Sequence, residues 1–342
     1  CDHEYSLCDR LGLCVWTEIG IINKMSADDS DAHVLSDGFG DNAKQQLREL
    51  IRQNYNHPSV IVWGLFNELY QMTNEIFGLY SELYEIACEE DDTRLKTFAD
   101  NQFYGRFLEL PADVVGYNRY FGWYKEAGSA ENFGEWLDLY HNKKEKRPVC
   151  LSEYGGGGAI SQHKDNVDWE SDIDPVGVRH YENYQSQLHE ILWKQFSVRK
   201  YLWAEFIWCM FDFASYGRTE GDTKSQNDKG LCTRERIPKD VYFFYRSVWS
   251  SEKTVYITER RHEFRACDVP FVKVYSNADA VELYINDVSH GRISRCELPD
   301  DESTVFVREN IKIKLGTKNK ICAKAYFSDG TSRSDYAFWT GK

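Results

Sequence analysis

The chain has 342 residues and a formal net charge of −14, so there is room for roughly two domains or one large barrel with an appendage. The acidic balance, with no basic stripe anywhere, excludes the usual footprint of a nucleic-acid partner or an anionic membrane surface. No apolar run is long enough to span a bilayer, and the ten scattered cysteines contain no C-x-x-C pair, which leaves zinc and thioredoxin-type chemistry without support. Of a cytoplasmic and a periplasmic location, the cytoplasm is favoured, because unpaired cysteines suit a reducing compartment.

In chain order, residues 3–11 read as a helix with Tyr5, Leu7, Cys8 and Leu11 on one face, stopped by Gly12. Residues 13–19 read as a short strand. After a polar, Asp-rich loop, residues 42–54 read as a helix with Leu47, Leu50 and Ile51 as its stripe. Next comes Val60-Ile61-Val62-Trp63-Gly64-Leu65-Phe66, an uninterrupted apolar run closed by Asn67-Glu68. Such a run is the signature of a parallel strand buried on both faces. Helix 74–90, strands 94–99 and 113–118, helix 129–142, strand 148–153, helix 178–197 and strand 201–208 succeed it. Strand and helix alternate, which implies a parallel sheet with helices packed outside it. Six strands are two short of eight, so the expectation is a (β/α)8 TIM-type barrel lacking its first two strands. From residue 252 the pattern changes to period two, with turn signals at 276–279, 286–287 and 328–330. That pattern predicts a small antiparallel sandwich. The expected division is residues 1–251 for an α/β barrel and 252–342 for an immunoglobulin-like all-β domain.

Two strand tips end in a carboxylate, Glu68 and Glu153. In a parallel barrel the C-terminal tips of different strands converge on one mouth. Two carboxyls flanking a glycosidic bond are the minimum for hydrolysis, one protonating the departing oxygen and the other attacking or activating water. Mutual repulsion also helps to keep one of them protonated. The high content of Trp and Tyr suits sugar stacking but equally suits a core.

The chain resembles the catalytic half of the family 2 glycoside hydrolases, which include β-galactosidases, β-glucuronidases and β-mannosidases. The resemblance is carried by Leu7-Cys8-Asp9-Arg10-Leu11-Gly12 with Trp16-Thr17-Glu18, and by Asn56-His57-Pro58-Ser59 through Asn67-Glu68. It continues in Asn118–Tyr124, Ser152-Glu153-Tyr154-Gly155, Trp208 with Asp212-Phe213, and Asn227-Asp228-Lys229-Gly230-Leu231. It implies a retaining double displacement, with Glu68 as general acid/base and Glu153 as nucleophile. It also implies that Asn67 bonds the sugar 2-hydroxyl, Tyr120 sits near the nucleophile, Trp208 forms a stacking wall, and Asn227 and Lys229 approach the sugar. Tyr124 and His163 are further substrate-binding candidates. The plain alternatives are a core ring for Trp208, a surface or structural role for His163 and an ordinary turn at Asn227 and Lys229. Glu18 is a supporting position outside the core assignment.

The leading expectation is an exo-acting β-galactosidase, with a β-glucuronidase second because Asn227-x-Lys229 suits a uronic acid carboxylate. A non-catalytic carbohydrate-binding remnant is the alternative of another class. No cofactor is required. Leu69-Tyr70-Gln71 follows Asn67-Glu68 where magnesium-dependent relatives carry a Gly-His segment, so no metal site is expected there. The expected partner is a carbohydrate substrate, with neither nucleic acid nor membrane, and the chain is compatible with a homo-oligomer.

Overall fold

The computed structural model describes residues 2–23, 37–102, 105–299 and 303–342. The chain forms two compact units. Cys1–Arg119, Glu135–Tyr154 and Lys200–Phe206 make the first, and Tyr120–Gly134, Gly155–Arg199 and Ile207–Lys342 make the second.

The first unit is built on α1 (Asp2–Leu11), β1 (Val15–Glu18), β2 (Ile22–Asn23), α2 (Phe39–Asn54), β3 (Val60–Leu69), α3 (Asn74–Glu90), β4 (Leu95–Asp100) and β5 (Val115–Asn118). Most of α4 (Phe133–Lys143), β6 (Val149–Tyr154) and nearly all of β7 (Leu202–Ile207) complete it. The strands form one sheet in the order β1-β3-β4-β5-β6-β7, with β2 beside the tip of β3. The β1–β3, β3–β4, β4–β5 and β5–β6 pairings are parallel, which matches the α/β barrel sheet expected from the alternation of elements.

β3 is buried along most of its length, as a strand covered on both faces must be. Its Trp63 is fully buried and donates its indole N–H to Asp91 Oδ2 at 2.9 Å, while Arg94 pairs with the same carboxylate at 2.7 Å. α3 is capped by Thr73, whose hydroxyl accepts the Ile76 N–H.

The strand's entry is tied to the start of the chain. Asp9 accepts from the Ser59 N–H at 2.9 Å and bonds His57 Nδ1 at 2.7 Å. These contacts, His57 first, hold the Asp9 carboxyl down to about 2. The expected apolar face of α1 does not reach a core. No residue of this helix is buried and Leu11 is 68% exposed, while Tyr5 stacks on His57 and bonds Thr17 Oγ1.

The second unit holds α5 (Trp169–Asp172), α6 (Glu182–Ser197), a short β8 (Phe213–Ala214) and β9 (Gln226–Asn227) pair, and α7 (Asp240–Trp249). It also contains a β-sandwich. One sheet runs β10 (Val255–Ile257), β12 (Asp268–Ser276) and β15 (Val305–Lys312). The other runs β11 (Phe264–Arg265), β17 (Ser332–Gly341), β16 (Lys318–Tyr326), β13 (Ala280–Ile285) and β14 (Val288–Ser294). Val272, Val274, Leu283, Phe306, Ile321 and Trp339 belong to the core of these strands.

Two helices begin later than their periodicity predicts. Residues 130–132 form a 3-10 turn before α4. Ahead of α6, the His180 carbonyl accepts the Ala159 N–H and the His180 N–H donates to Gln162, which keeps the chain extended as far as Tyr181. Among the described residues no helix is long and apolar enough to cross a membrane.

Candidate functional site

The expected site residues divide between the two units. In the first unit, β3 ends in Asn67 and Glu68, and Glu68 takes a left-handed backbone with φ 51°. Successive residues of a regular strand point to opposite faces. Here the turn at Glu68 lets both side chains meet one group. Asn118, buried at the tip of β5, donates from Nδ2 to Asn67 Oδ1 and to Glu68 Oε1, each at 2.9 Å. Its Oδ1 accepts from Ser152 Oγ at 2.7 Å. Ser152 precedes Glu153 on β6, where Glu153 stands in register with Asn118 and its carbonyl accepts the Arg119 N–H at 2.9 Å. Asn118 therefore ties the tip that carries Glu68 to the strand that carries Glu153. Sequence reasoning did not single it out, because an Asn at a strand end has no charge or spacing to distinguish it.

Behind these tips the interior is filled by Trp16, stacked on Trp203 at 6.2 Å and met edge-on by Phe206 at 5.8 Å. Gly64 and Gly116 make room for it. A Cβ on Gly64 would lie 2.4 Å from Trp16 Nε1, and one on Gly116 would lie 2.7 Å from the same ring. Trp16 Nε1 donates to Glu18 Oε2 at 3.2 Å.

Burial pushes the Glu18 carboxyl up to about 7, against the opposing effect of that hydrogen bond. A folded-state value raised above the usual 4.5 means that stability is full below about 4.5, falls as the pH rises from there to about 7 and stays lowered above it. Glu18→Gln is therefore expected to raise the melting temperature at pH 8 and to change it little at pH 5. The gap should be on the order of 1–2 kcal/mol once partial solvent contact is discounted. Melts of equal displacement at both pH values would show that Glu18 is not held neutral.

In the second unit, the Tyr120 and Tyr124 rings meet edge-on at 5.4 Å. Lys229 Nζ donates to Tyr124 Oη at 3.2 Å and lies 5.7, 5.8 and 5.3 Å from the ring centres of Tyr120, Trp123 and Tyr124. Lys229 is 4% exposed. The acids beside it in sequence and space are already committed, Asp228 to His180 and Asp212 to Lys239. Among the described residues Lys229 has no carboxylate partner. A buried cation without a counter-ion is costly, and aromatic faces offset only part of that cost.

The backbone around Lys229 is fixed. Asn227 Oδ1 accepts the Lys229 N–H at 3.0 Å, and Asp212 Oδ1 accepts the Gly230 N–H at 2.9 Å. A Cβ on Gly230 would fall 2.2 Å from the Asp212 backbone nitrogen, so only glycine fits there.

Trp208 is half-buried, edge-on to Phe213 at 5.7 Å, and precedes a cis peptide bond to Cys209. His163 is engaged elsewhere. It bonds Glu182 Oε2 at 2.9 Å and stacks on His262 at 5.6 Å. One cluster with cation-binding groups, Asp165, Glu259 and His262, occurs among the described residues. The Arg265 guanidinium already pairs with both of its carboxylates, so a cation is in place there.

Residues 2–254 match a family model described as glycosyl hydrolases family 2, TIM barrel domain, and residues 269–333 match a domain of unknown function. A β-glucuronidase of Bacteroides fragilis is 37% identical over 316 residues, which is 92% of this chain and 44% of that protein. Among solved structures, a putative β-galactosidase from Bacteroides fragilis superposes with a TM-score of 0.87 at 31% identity, over 100% of this chain and 48% of that one. An FMN-binding β-glucuronidase from Faecalibacterium prausnitzii L2-6 superposes with a TM-score of 0.84 at 32% identity, over 99% of this chain and 48% of that one. The chain thus spans less than half the length of these relatives.

Proposed function

The chain belongs to glycosyl hydrolase family 2, and we propose on that premise that it carries the catalytic part of a retaining β-glucuronidase. The observation that supports this sugar is the buried Lys229 ammonium, ringed by Tyr120, Trp123 and Tyr124 and lacking an anionic partner among the described residues. A uronic acid brings the carboxylate that this position lacks. A galactoside brings a neutral hydroxymethyl group and would leave the charge uncompensated. Galactose, the first expectation from sequence, gives way here to glucuronic acid. The Bacteroides fragilis relative at 37% identity bears the same name.

In this reading Glu68 protonates the glycosidic oxygen while Glu153 attacks the anomeric carbon, giving a covalent glycosyl-enzyme and the free aglycone. Glu68 then takes a proton from water, which displaces Glu153 and restores the original anomeric configuration. Asn67 meets the sugar 2-hydroxyl and Trp208 offers a ring face. Asn227 fixes the Lys229 backbone through the hydrogen bond its side chain accepts.

The test is a panel of nitrophenyl β-glycosides, with the glucuronide expected to be the preferred substrate. In Lys229→Met, kcat/KM for the glucuronide is expected to fall by about 30- to 4,000-fold, the cost of truncating one partner of a desolvated charge pair. The galactoside and glucoside rates should move far less. A wild-type preference for galactoside, or an equal loss on all sugars, would end this reading.

A further inference from the structure

The segment that carries Lys229 is held from behind by a buried histidine for which hydrolysis itself has no use. A role for it in sugar recognition rests on the β-glucuronidase reading. His180 is 1% exposed. Its Nδ1 lies 2.7 Å from Asp228 Oδ2, and its Nε2 lies 3.1 Å from the Asp174 carbonyl oxygen. A carbonyl can only accept, so Nε2 must carry a proton. An ionised carboxylate also only accepts, so Nδ1 must carry one as well. The contacts on both sides therefore call for an imidazolium paired with the Asp228 carboxylate. Burial pushes the Asp228 carboxyl up, and the His180 hydrogen bond, with the charges around it, more than offsets this, leaving it below its usual range.

Packing closes around the pair. A Cβ on Gly157 would lie 2.4 Å from Asp228 Oδ1 and 2.9 Å from His180 Nδ1, and one on Gly221 would lie 2.6 Å from Asp228 Oδ2. Trp123 stands edge-on to the imidazole at 4.7 Å, and the same ring borders the Lys229 ammonium. The Asp228 carbonyl accepts from the Gly158 N–H at 3.1 Å and from the buried Lys239 Nζ at 2.8 Å. The residue immediately before Lys229 is thus fixed through its carbonyl by two donors and through its side chain by His180.

We propose that His180 is a positioning residue for glucuronide recognition: clamped as an imidazolium between Asp228 and Asp174, it sets the conformation in which Lys229 meets the sugar carboxylate. It touches neither the substrate nor the reacting atoms and acts through Asp228 and Trp123.

Two measurements test this. In nitrogen-15 spectra of histidine-labelled protein at pH 7, the resonances missing from His180→Gln should show both ring nitrogens protonated; a neutral single-tautomer signature overturns the clamp. In kinetics, His180→Gln should raise KM for nitrophenyl β-glucuronide by about 10- to 100-fold, the scale expected of a small misplacement of a binding group. Its kcat should stay within a few-fold, and the ratio of glucuronide to glucoside preference should fall. Asp228→Asn should act in the same direction, with the double variant no worse than the more affected single one, and it carries the test should His180→Gln fail to fold. Equal losses on glucuronide and glucoside, or an unchanged KM in a wild type that prefers glucuronide, would overturn the positioning role and leave the parent reading intact. A wild type without glucuronide preference would instead remove the parent reading and this role with it.

Discussion

Glu153→Ala is expected to lower turnover of any glycoside the protein cleaves by roughly 10⁵-fold or more, the scale seen when a catalytic nucleophile is deleted. The loss should fall on kcat rather than KM, because in the proposed double displacement the carboxylate forms its bond only as the anomeric carbon is attacked. The variant should keep its fold, since Glu153 is held to its neighbour strand by the backbone carbonyl, which accepts the Arg119 N–H at 2.9 Å. Added azide gives the decisive reading. It is small enough to enter the space vacated by the side chain and attack the anomeric carbon directly. A single displacement inverts that centre, so the product should be the α-glycosyl azide. A β-azide, or activity close to wild type, would remove Glu153 from the nucleophile's place.

Glu68→Gln should have the second-largest effect, and its size should depend on the leaving group. Alkyl glycosides, which need a proton on the departing oxygen, are expected to lose roughly 10²- to 10⁴-fold, the usual worth of general acid catalysis. Dinitrophenyl glycosides, whose leaving group departs as a stable anion, should react nearly normally in the first step and then stall as the glycosyl-enzyme. Azide attacks that intermediate without base assistance, so this variant should release the β-azide after two displacements. Glutamine keeps an oxygen that can accept from Asn118 Nδ2, the contact that holds Glu68 at 2.9 Å. A uniform loss across both leaving-group classes would deny Glu68 the acid's role.

What the sequence made legible depended on whether the physical cause was local. β3 could be read because burial on both faces writes a continuous apolar run. The sandwich strands wrote period two. The start of α6 was hidden, because extension up to Tyr181 is imposed by bonds to Ala159 and Gln162 some twenty residues away. α7 escaped notice because Tyr242-Phe243-Phe244-Tyr245 places aromatics in a row, and a row has no period. β14 escaped because its exposed, polar Ser289-His290-Gly291-Arg292 resembles a loop. For the site, the residue types at Asn67, Glu68 and Glu153 were plain from the tips of apolar runs. The sugar was not plain, because an Asn-x-Lys-Gly run reads the same whether or not a carboxylate faces the lysine. The lack of a carboxylate partner for Lys229 among the described residues is a fact about space, as is the bond between His180 and Asp228 across 48 residues.

The left-handed turn at Glu68 has a bearing on anyone who would transplant this chemistry. A non-glycine residue held at φ 51° costs about 1–2 kcal/mol, and the neighbours that accept that cost are not contiguous. The pairing of β3 with β4 slips between Gly64 and Asn67, and Asn118 on β5 receives both side chains that the kink turns toward it. A graft of Asn67-Glu68 alone onto another barrel would let the strand relax to its ordinary pleat and send the two side chains to opposite faces. The portable cassette is the slipped strand from Gly64 to Leu69 together with Asn118 and its anchor Ser152, three strands moved as one piece.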